Sequence, residues 1–249
     1  MHYYNGRVLL PKNFNLNDIA EKIEIYRWLG YTTLYLEQYN SENIIGDKLI
    51  DEISSVYPAM RLYQRVYFKA DSINKLKRKL SRAPNKRNVI ISVASKETDI
   101  LNFAAHDSRV QLLSASSIRL MNAFSDGTVS LVKQHGKFVE FSLIDAINVV
   151  NGPRSRVFRD IHKFLTLTRP IQEHLIYAGA ERWLKHIRGP RELMSVLTSV
   201  FGLKKSLSKR IFTENPNRLN KKNKEMKTGI LLHDGVRILR DSENGDRDA

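Results

Sequence analysis

The sequence predicts an α/β fold, a TIM-like (β/α) barrel of about seven strands. Three observations lead there. Short apolar or β-branched runs alternate with amphipathic helical stretches along the chain, a βαβα rhythm that calls for a parallel sheet with helices outside it. The runs have unbroken apolar centres such as Val89-Ile90-Ile91, as strands buried on both faces do. No βα turn is glycine-rich in the way a nucleotide-binding switch point would be, which favours a closed barrel over an open doubly wound sheet. The length of 249 residues fits such a barrel, and 42% hydrophobic residues can fill its core.

The elements read in order. The first strand is Arg7 to Leu10. A helix near Asp18 to Leu29 follows, with Ile19, Ile23 and Tyr26 on one face. Asp18 with Glu21 resembles a capping box, and Gly30 suits the position past the helix end. Thr32 to Leu36 is the second strand and 44–56 the second helix. Arg61 to Phe68 is the third strand, before a helix from Asp71 carrying Ile73, Leu76 and Leu80. The fourth strand is Asn88 to Val93, followed by a helix near Thr98 to Ala105. Val110 to Leu113 is the fifth strand, with short helices near 117–124 and 128–135, the second stopped by Gly136.

Lys137 to Phe141 is the sixth strand. Ser142 with Asp145 forms a second capping-box pair, opening a helix expected to end at Gly152. Pro153 suits the first position of another helix, with Val157, Ile161 and Phe164 inward. The seventh strand reads as Pro170 to Tyr177. Helices follow near 190–201 and 204–212, then a turn of helix from Pro216. The barrel spans 1–225 as one domain. In the tail, 226–249, Asp234-Gly235 between alternating apolar runs predicts a hairpin over 229–239. Three readings of this tail stand open: an ordered appendage, a strand completed by a partner, or disordered chain.

Charge is the strongest global signal. Lys plus Arg number 41 against 26 for Asp plus Glu, a formal net charge of +15. A compact body so charged repels itself unless a polyanion is near, and the common ones are nucleic acid and anionic membrane. No stretch approaches the roughly 18 apolar residues of a membrane span, and the amino-terminal segment lacks the apolar run of a signal peptide. The chain has no cysteine, which excludes disulfides, zinc ribbons, thiol nucleophiles and iron–sulfur clusters. A cytoplasmic protein is expected.

Catalytic signatures are missing. Among seven histidines no His-x-His or His-Glu-x-x-His occurs, and an open catalytic metal site needs three or more clustered ligands. There is no Gly-x-Ser-x-Gly elbow and no Walker loop. Glu37, Glu140 and Glu173 lie near strand ends. Glu140 and Glu173 read either as an acid/base pair facing each other or as carboxylates held by neighbouring Arg or Lys, the second being preferred.

Basic segments stand out instead. From Lys75 to Arg87, thirteen residues carry seven cations and no acid. Leu76 and Leu80 point inward at helical spacing, so Lys75, Lys79 and Arg82 project together as phosphate contacts. Arg154, Arg156 and Arg159 form a second cluster at a helix start, where anions already gather. Lys204, Lys205, Lys209 and Arg210 form a third, and Arg218 with Lys221, Lys222, Lys224 and Lys227 a fourth. Aromatic interleaving of the single-strand-binding kind is absent, which favours structured RNA or duplex backbone.

Specific residues also carry a family resemblance. Ile176-Tyr177-Ala178-Gly179-Ala180, Ile187-Arg188-Gly189-Pro190-Arg191-Glu192-Leu193, Phe201-Gly202-Leu203 and Asn215-Pro216-Asn217-Arg218-Leu219 resemble, in order and spacing, ribonuclease P protein component 3, the thirty-kilodalton subunit of the archaeal and eukaryotic enzyme. Upstream, Ile90-Ile91-Ser92-Val93, then Asn102 to Val110, and the Glu140-bearing sixth strand are similar to the same family. Tyr177 stands where the family has Ser, and Gln111 where it has Asp. The likeness covers about residues 5–220.

The resemblance implies a barrel related to metal-dependent phosphoesterases that lacks their ligands, with no cofactor of its own. It implies a complex with the RNase P RNA, which carries magnesium, and with component 2 as a heterotetramer, alongside other RNase P proteins. Precursor tRNA is then met indirectly, and the RNA removes its 5′ leader. Family-like positions able to touch RNA are Arg109, Arg188, Arg191 and Arg218; charge and location add Arg65 and Arg119. The alternatives are an autonomous metal-dependent phosphoesterase or nuclease of the same barrel class, and a scaffold whose charge is incidental.

Overall fold

The computed structural model describes residues 2–11, 16–39, 41–86, 88–149 and 153–228, with the backbone of 231–233 and 236–237. Seven strands form one all-parallel sheet whose spatial order is the order along the chain. They are β1 (Tyr3–Leu10), β2 (Tyr31–Gln38), β3 (Arg61–Lys69), β4 (Val89–Ala94), β5 (Leu112–Ala115), β6 (Phe138–Phe141) and β7 (Leu175–Tyr177). Between them run α1 (Leu16–Trp28), α2 (Asp47–Val56), α3 (Ile73–Ser81), α4 (Thr98–His106), α5 (Ile118–Met121), α6 (Asp126–Gln134), α7 (Ile144–Asn148) and α8 (Pro153–Leu167). After β7 come α9 (Pro190–Ser199), α10 (Lys205–Phe212) and α11 (Glu214–Lys227). The TIM-like barrel read from the sequence is the observed fold.

Alternation explains the unbroken apolar runs. In β4, Val89 and Ile91 face the helical layer, while Ile90 faces the barrel axis. A strand buried on both sides has no polar face to show. The α1 face of Ile19, Ile23 and Tyr26 covers Val8, Leu10, Leu34 and Leu36. Inside the barrel, Tyr4, Tyr35, Ile90, Leu112, Phe138 and Ile176 form an apolar floor.

The sheet closes at β1 and β7 through a few contacts rather than a full ladder. Ala180 N–H donates to the Arg7 carbonyl and Gly179 N–H to Asn5 Oδ1, both at 2.9 Å. Two glycines permit that approach. A Cβ on Gly6 would lie 2.7 Å from the Tyr177 carbonyl oxygen, and one on Gly179 would collide with Glu181 and Asn5.

Four details depart from the sequence reading. The segment from Arg169 to His174 is 3-10 helix, so β7 has only three residues; Pro170 supplies no N–H to a strand ladder. Helix α1 begins at Leu16, which places Asp18 inside the first turn and not at the cap. Ser142 and Asp145 make no capping box. Ser142 Oγ accepts from Ile144 N–H at 3.1 Å, whereas Asp145 accepts from Ile118 N–H at 2.7 Å, and α7 ends at Asn148. Finally, the expected single turn from Pro216 is a helix of 14 residues, α11.

Helix α11 crosses the amino-terminal end of the barrel. Asn215 Nδ2 donates to the Leu175 carbonyl at 2.7 Å, Tyr35 Oη to Asn220 Oδ1 at 2.7 Å, and Asn223 Nδ2 to the Val89 carbonyl at 3.2 Å. Leu219 between them completes the apolar floor. Beyond it, Leu231–His233 and Val236–Arg237 pair antiparallel; the Asp234-Gly235 turn lies outside the described residues.

Candidate nucleic-acid interface

Above the apolar floor the barrel interior turns polar, because its next inward positions are Glu37, Arg65, Ser92, Ser114 and Glu140. The Arg65 guanidinium pairs through both terminal nitrogens with both Glu140 oxygens, and its Nε lies 2.8 Å from Glu37 Oε2. It also donates to Ser92 Oγ at 2.9 Å and to the Gly6 carbonyl at 2.8 Å. Nearer the carboxyl-terminal mouth, Arg7 donates from Nε and Nη2 to the two Glu37 oxygens at 2.9 and 2.7 Å, and to Ser116 Oγ at 2.7 Å. The Tyr67 ring lies 3.9 Å from the Arg7 guanidinium carbon. Burial works against the Arg7 charge, but Glu37, Tyr67 and Glu140 outweigh it and raise its pKa further. Arginines and carboxylates thus alternate along the axis, each buried charge compensated.

This network answers the catalytic readings. Active sites of such barrels use side chains at the carboxyl-terminal strand ends. Here both carboxylates at that depth are engaged by guanidinium groups, and no cluster of three His, Asp or Glu residues able to hold a metal exists among the described residues. The donor set therefore does not fit a catalytic metal ion. Glu173 does not face Glu140; it is exposed beside Arg218. Arg65, expected to touch RNA, is 1% exposed, with both terminal nitrogens hydrogen-bonded to internal acceptors and Nε within ion-pair distance of Glu37. It is an interior counter-ion, which a reading of charge along the chain cannot separate from a surface arginine.

A second buried group sits beside the seam. Tyr26 Oη donates to Glu181 Oε2 at 2.9 Å, and Lys22 Nζ to the Leu9 and Glu181 carbonyls at 2.6 and 3.1 Å. Burial pushes the Glu181 carboxyl up to about 7, against the lowering by its backbone hydrogen bond, Tyr26 and Lys22. Burial brings Lys22 down to about 8. Ala180, just before this glutamate, has a positive φ of 58°, a conformation that costs a non-glycine residue about 1 kcal/mol.

The mouth of the barrel opens into a crater of about 750 Å³. Its wall carries Arg7, Lys69, Lys96, Arg119, Arg182 and Lys185, against the single carboxylate of Asp145. Arg182 lies 4.4 Å from the Tyr39 ring centre. On the same wall, His186 is held below the ordinary imidazole range by burial and by the charges of Lys185 and Arg188. Of these cations only Arg119 is legible in the sequence as a surface contact. The others stand singly, outside the basic runs. The signal that finds them is position: Lys69 ends β3, Lys96 follows β4, and Arg182 and Lys185 follow β7, where barrel loops build sites.

The remaining cations divide between the two ends. Lys75, Arg78, Lys79 and Arg82 of α3 and its cap line a groove of about 450 Å³ beside Glu42. The stretch from Lys75 to Arg87 has no acid of its own, yet the fold supplies three: Asp71 pairs with Lys75 at 2.8 Å, Glu42 with Lys79 and Asp47 with Lys86. Arg154 and Arg156 are exposed at the start of α8, and Arg191 is exposed at the start of α9. Arg154 and the half-buried Arg188 share a groove with Phe158, Leu193 and Phe201. Arg109 and Arg218 lie toward the amino-terminal end, where each meets an acid: Asp107 at 2.6 Å and Glu173 at 3.2 Å. The predicted contacts therefore do not share one face.

Known proteins resemble this chain in sequence and in fold. A family model described as RNase P subunit p30 matches residues 2–228. Among solved structures, one chain in a cryo-EM structure of archaeal ribonuclease P with mature tRNA superposes with a TM-score of 0.74 at 16% identity, covering 97% of this chain and 100% of that one. An apo protein of Agrobacterium tumefaciens follows with a TM-score of 0.55 at 11% identity, over 88% and 95% of the two chains. A mutant organophosphorus hydrolase from Deinococcus radiodurans gives 0.54 at 10%, over 88% and 92%. At such identities the structures speak for the fold alone. No curated protein matches the sequence.

Proposed function

The chain belongs to the RNase P subunit p30 family, and from that premise we propose that it grips the catalytic RNA of ribonuclease P while performing no chemistry itself. As a protein subunit of ribonuclease P, it serves an endoribonuclease holoenzyme of tRNA processing. The proposal is the finer division of labour. Cations on α3, on α8 and around the barrel mouth hold RNA phosphates, and the RNA with its magnesium cleaves the 5′ leader from precursor tRNA. Component 2 joins this chain in a heterotetramer, and other RNase P proteins complete the particle.

One observation carries the non-catalytic reading: Arg7 and Arg65 occupy the oxygens of Glu37 and Glu140 at the place where a barrel phosphoesterase needs free ligands. The autonomous nuclease is disfavoured on the same ground. No helix among the described residues is long and apolar enough to cross a membrane, and a cytoplasmic particle is part of the proposal.

Reconstitution tests it. RNase P RNA, component 2 and this chain are combined, and precursor tRNA cleavage in magnesium is followed with the chain present or omitted. Omission should lower the rate, and the chain alone should cleave nothing in magnesium or manganese. Turnover by the chain alone, or a rate indifferent to its presence, overturns the proposal.

A further inference from the structure

We propose that the crater at the carboxyl-terminal mouth of the barrel receives one phosphate-bearing nucleotide of single-stranded RNA. The inference deepens, and rests on, the reading of this chain as an RNA-binding subunit. Elsewhere on the surface some bases meet acids, as Lys75 meets Asp71, Lys86 Asp47, Arg109 Asp107, Arg210 Glu214 and Arg218 Glu173, while ones unpaired among the described residues, such as Arg156 and Lys205, stand exposed on helix starts. At the mouth, Lys69, Lys96, Arg119, Arg182 and Lys185 converge on one cavity and make no salt bridge among the described residues. The one carboxylate there, Asp145, already accepts from the Ile118 N–H at 2.7 Å. Arg7 at the base of the crater is the exception, since Glu37 neutralises it from below.

Five uncompensated cations around one concavity repel one another, a cost that a bound polyanion removes. Ammonium and guanidinium groups converging from several loops make charge-assisted hydrogen bonds to a phosphate's several oxygens. Size and lining then narrow the ligand. About 750 Å³ lies within the range of small-ligand pockets and exceeds what a lone phosphate fills. Trp183 stands on the same wall, 64% exposed, an aromatic face open to solvent. A nucleobase stacks on such a face while its phosphate meets the cations, the pairing by which single strands are held. A duplex cannot enter a concave mouth ringed by loops. The ligand is thus an unpaired nucleotide, flipped from a bulge or at a strand end.

Trp183 is also the reporter. The chain has two tryptophans, so Trp28→Phe leaves Trp183 alone. Titrating the full-length Trp28→Phe chain with 5′-phosphorylated tetrauridylate should quench its fluorescence saturably. Lys96→Glu with Arg119→Glu in the same background should raise Kd by about tenfold or more. Lys48→Glu with Lys133→Glu, exposed and outside the crater, should leave it within about twofold. Circular dichroism confirms that each variant is folded. The absence of saturable quenching, or crater variants binding as tightly as the parent, overturns the proposal. So does inorganic phosphate alone reproducing the response with the affinity of the oligonucleotide, which would make the crater a free-phosphate site. The reconstituted enzyme separates this failure from failure of the subunit reading. If crater variants bind normally while omission of the chain still lowers cleavage, only the crater assignment falls. If the parent chain itself leaves cleavage unchanged, the subunit reading falls.

Discussion

The Arg65 guanidinium meets the Glu140 carboxylate edge to edge, two nitrogens to two oxygens, at a level of the barrel that solvent does not reach. The same guanidinium also faces Glu37. Arg65→Met therefore leaves two buried carboxylates with one fewer counter-charge. Removing one partner of a buried pair costs about 3–5 kcal/mol, and that loss should appear in urea denaturation. A loss under about 1 kcal/mol would mean that solvent or another cation enters the interior.

Glu181 makes stability depend on pH near neutrality. Its carboxyl keeps a proton in the folded chain up to about pH 7, against an ordinary value of 4.5. Between those limits the native state holds the extra proton, so stability falls as pH rises through the window. Lys22 acts in reverse. Its folded value of about 8 lies below the ordinary 10.5, so its contribution recovers as pH climbs through that interval. Glu181→Gln should flatten the fall between pH 5 and 7, worth on the order of 3 kcal/mol in the parent. Parallel melting curves of parent and variant across this range would refute the assignment.

Leu219 is the side chain that α11 contributes to the barrel floor, against Tyr4, Ile90 and Phe138. Truncation to alanine opens a cavity under the interior and should cost about 2–5 kcal/mol. RNA binding at a temperature where the variant remains folded should be unaffected. A small stability change, or a direct loss of RNA affinity, would show that α11 does something other than seal.

Phosphate contacts are read from salt dependence. Arg154→Glu with Arg156→Glu should weaken RNase P RNA binding and reduce the log–log salt slope by about one for each phosphate no longer neutralised. Filter binding between about 50 and 200 mM salt decides it. An unchanged slope removes α8 from the interface.

The legible part of this protein was what repeats. Alternating runs mark the strands to within a few residues because both faces of each are buried, as at Val89-Ile90-Ile91; β7 is the exception, its first five expected residues being 3-10 helix. Gly30, with φ of 93° past α1, and Gly136, with φ of 55° past α6, mark helix ends as glycine does. What stayed hidden depends on neighbours distant in the chain. Nothing near Arg65 announces that Glu37 and Glu140, 28 and 75 residues away, will enclose it. The α3 cations look unopposed because Glu42 arrives from another loop. The length of α11 escaped because its inward face is asparagine-rich: Asn215, Asn220 and Asn223 satisfy strand carbonyls and a tyrosine hydroxyl, which hydrophobic periodicity cannot register.

All seven strands are complete once the ribosome has added Tyr177, yet the floor beneath them is supplied by residues 214–227. A nascent chain that has released every strand still shows Tyr4, Tyr35, Ile90 and Phe138 to water from below. Synthesis thus leaves the floor of the barrel uncovered until α11 emerges, and a product interrupted before it carries an unstoppered, apolar end. Chaperones and proteases can recognise that end, so the helix that finishes the fold also distinguishes finished molecules from fragments.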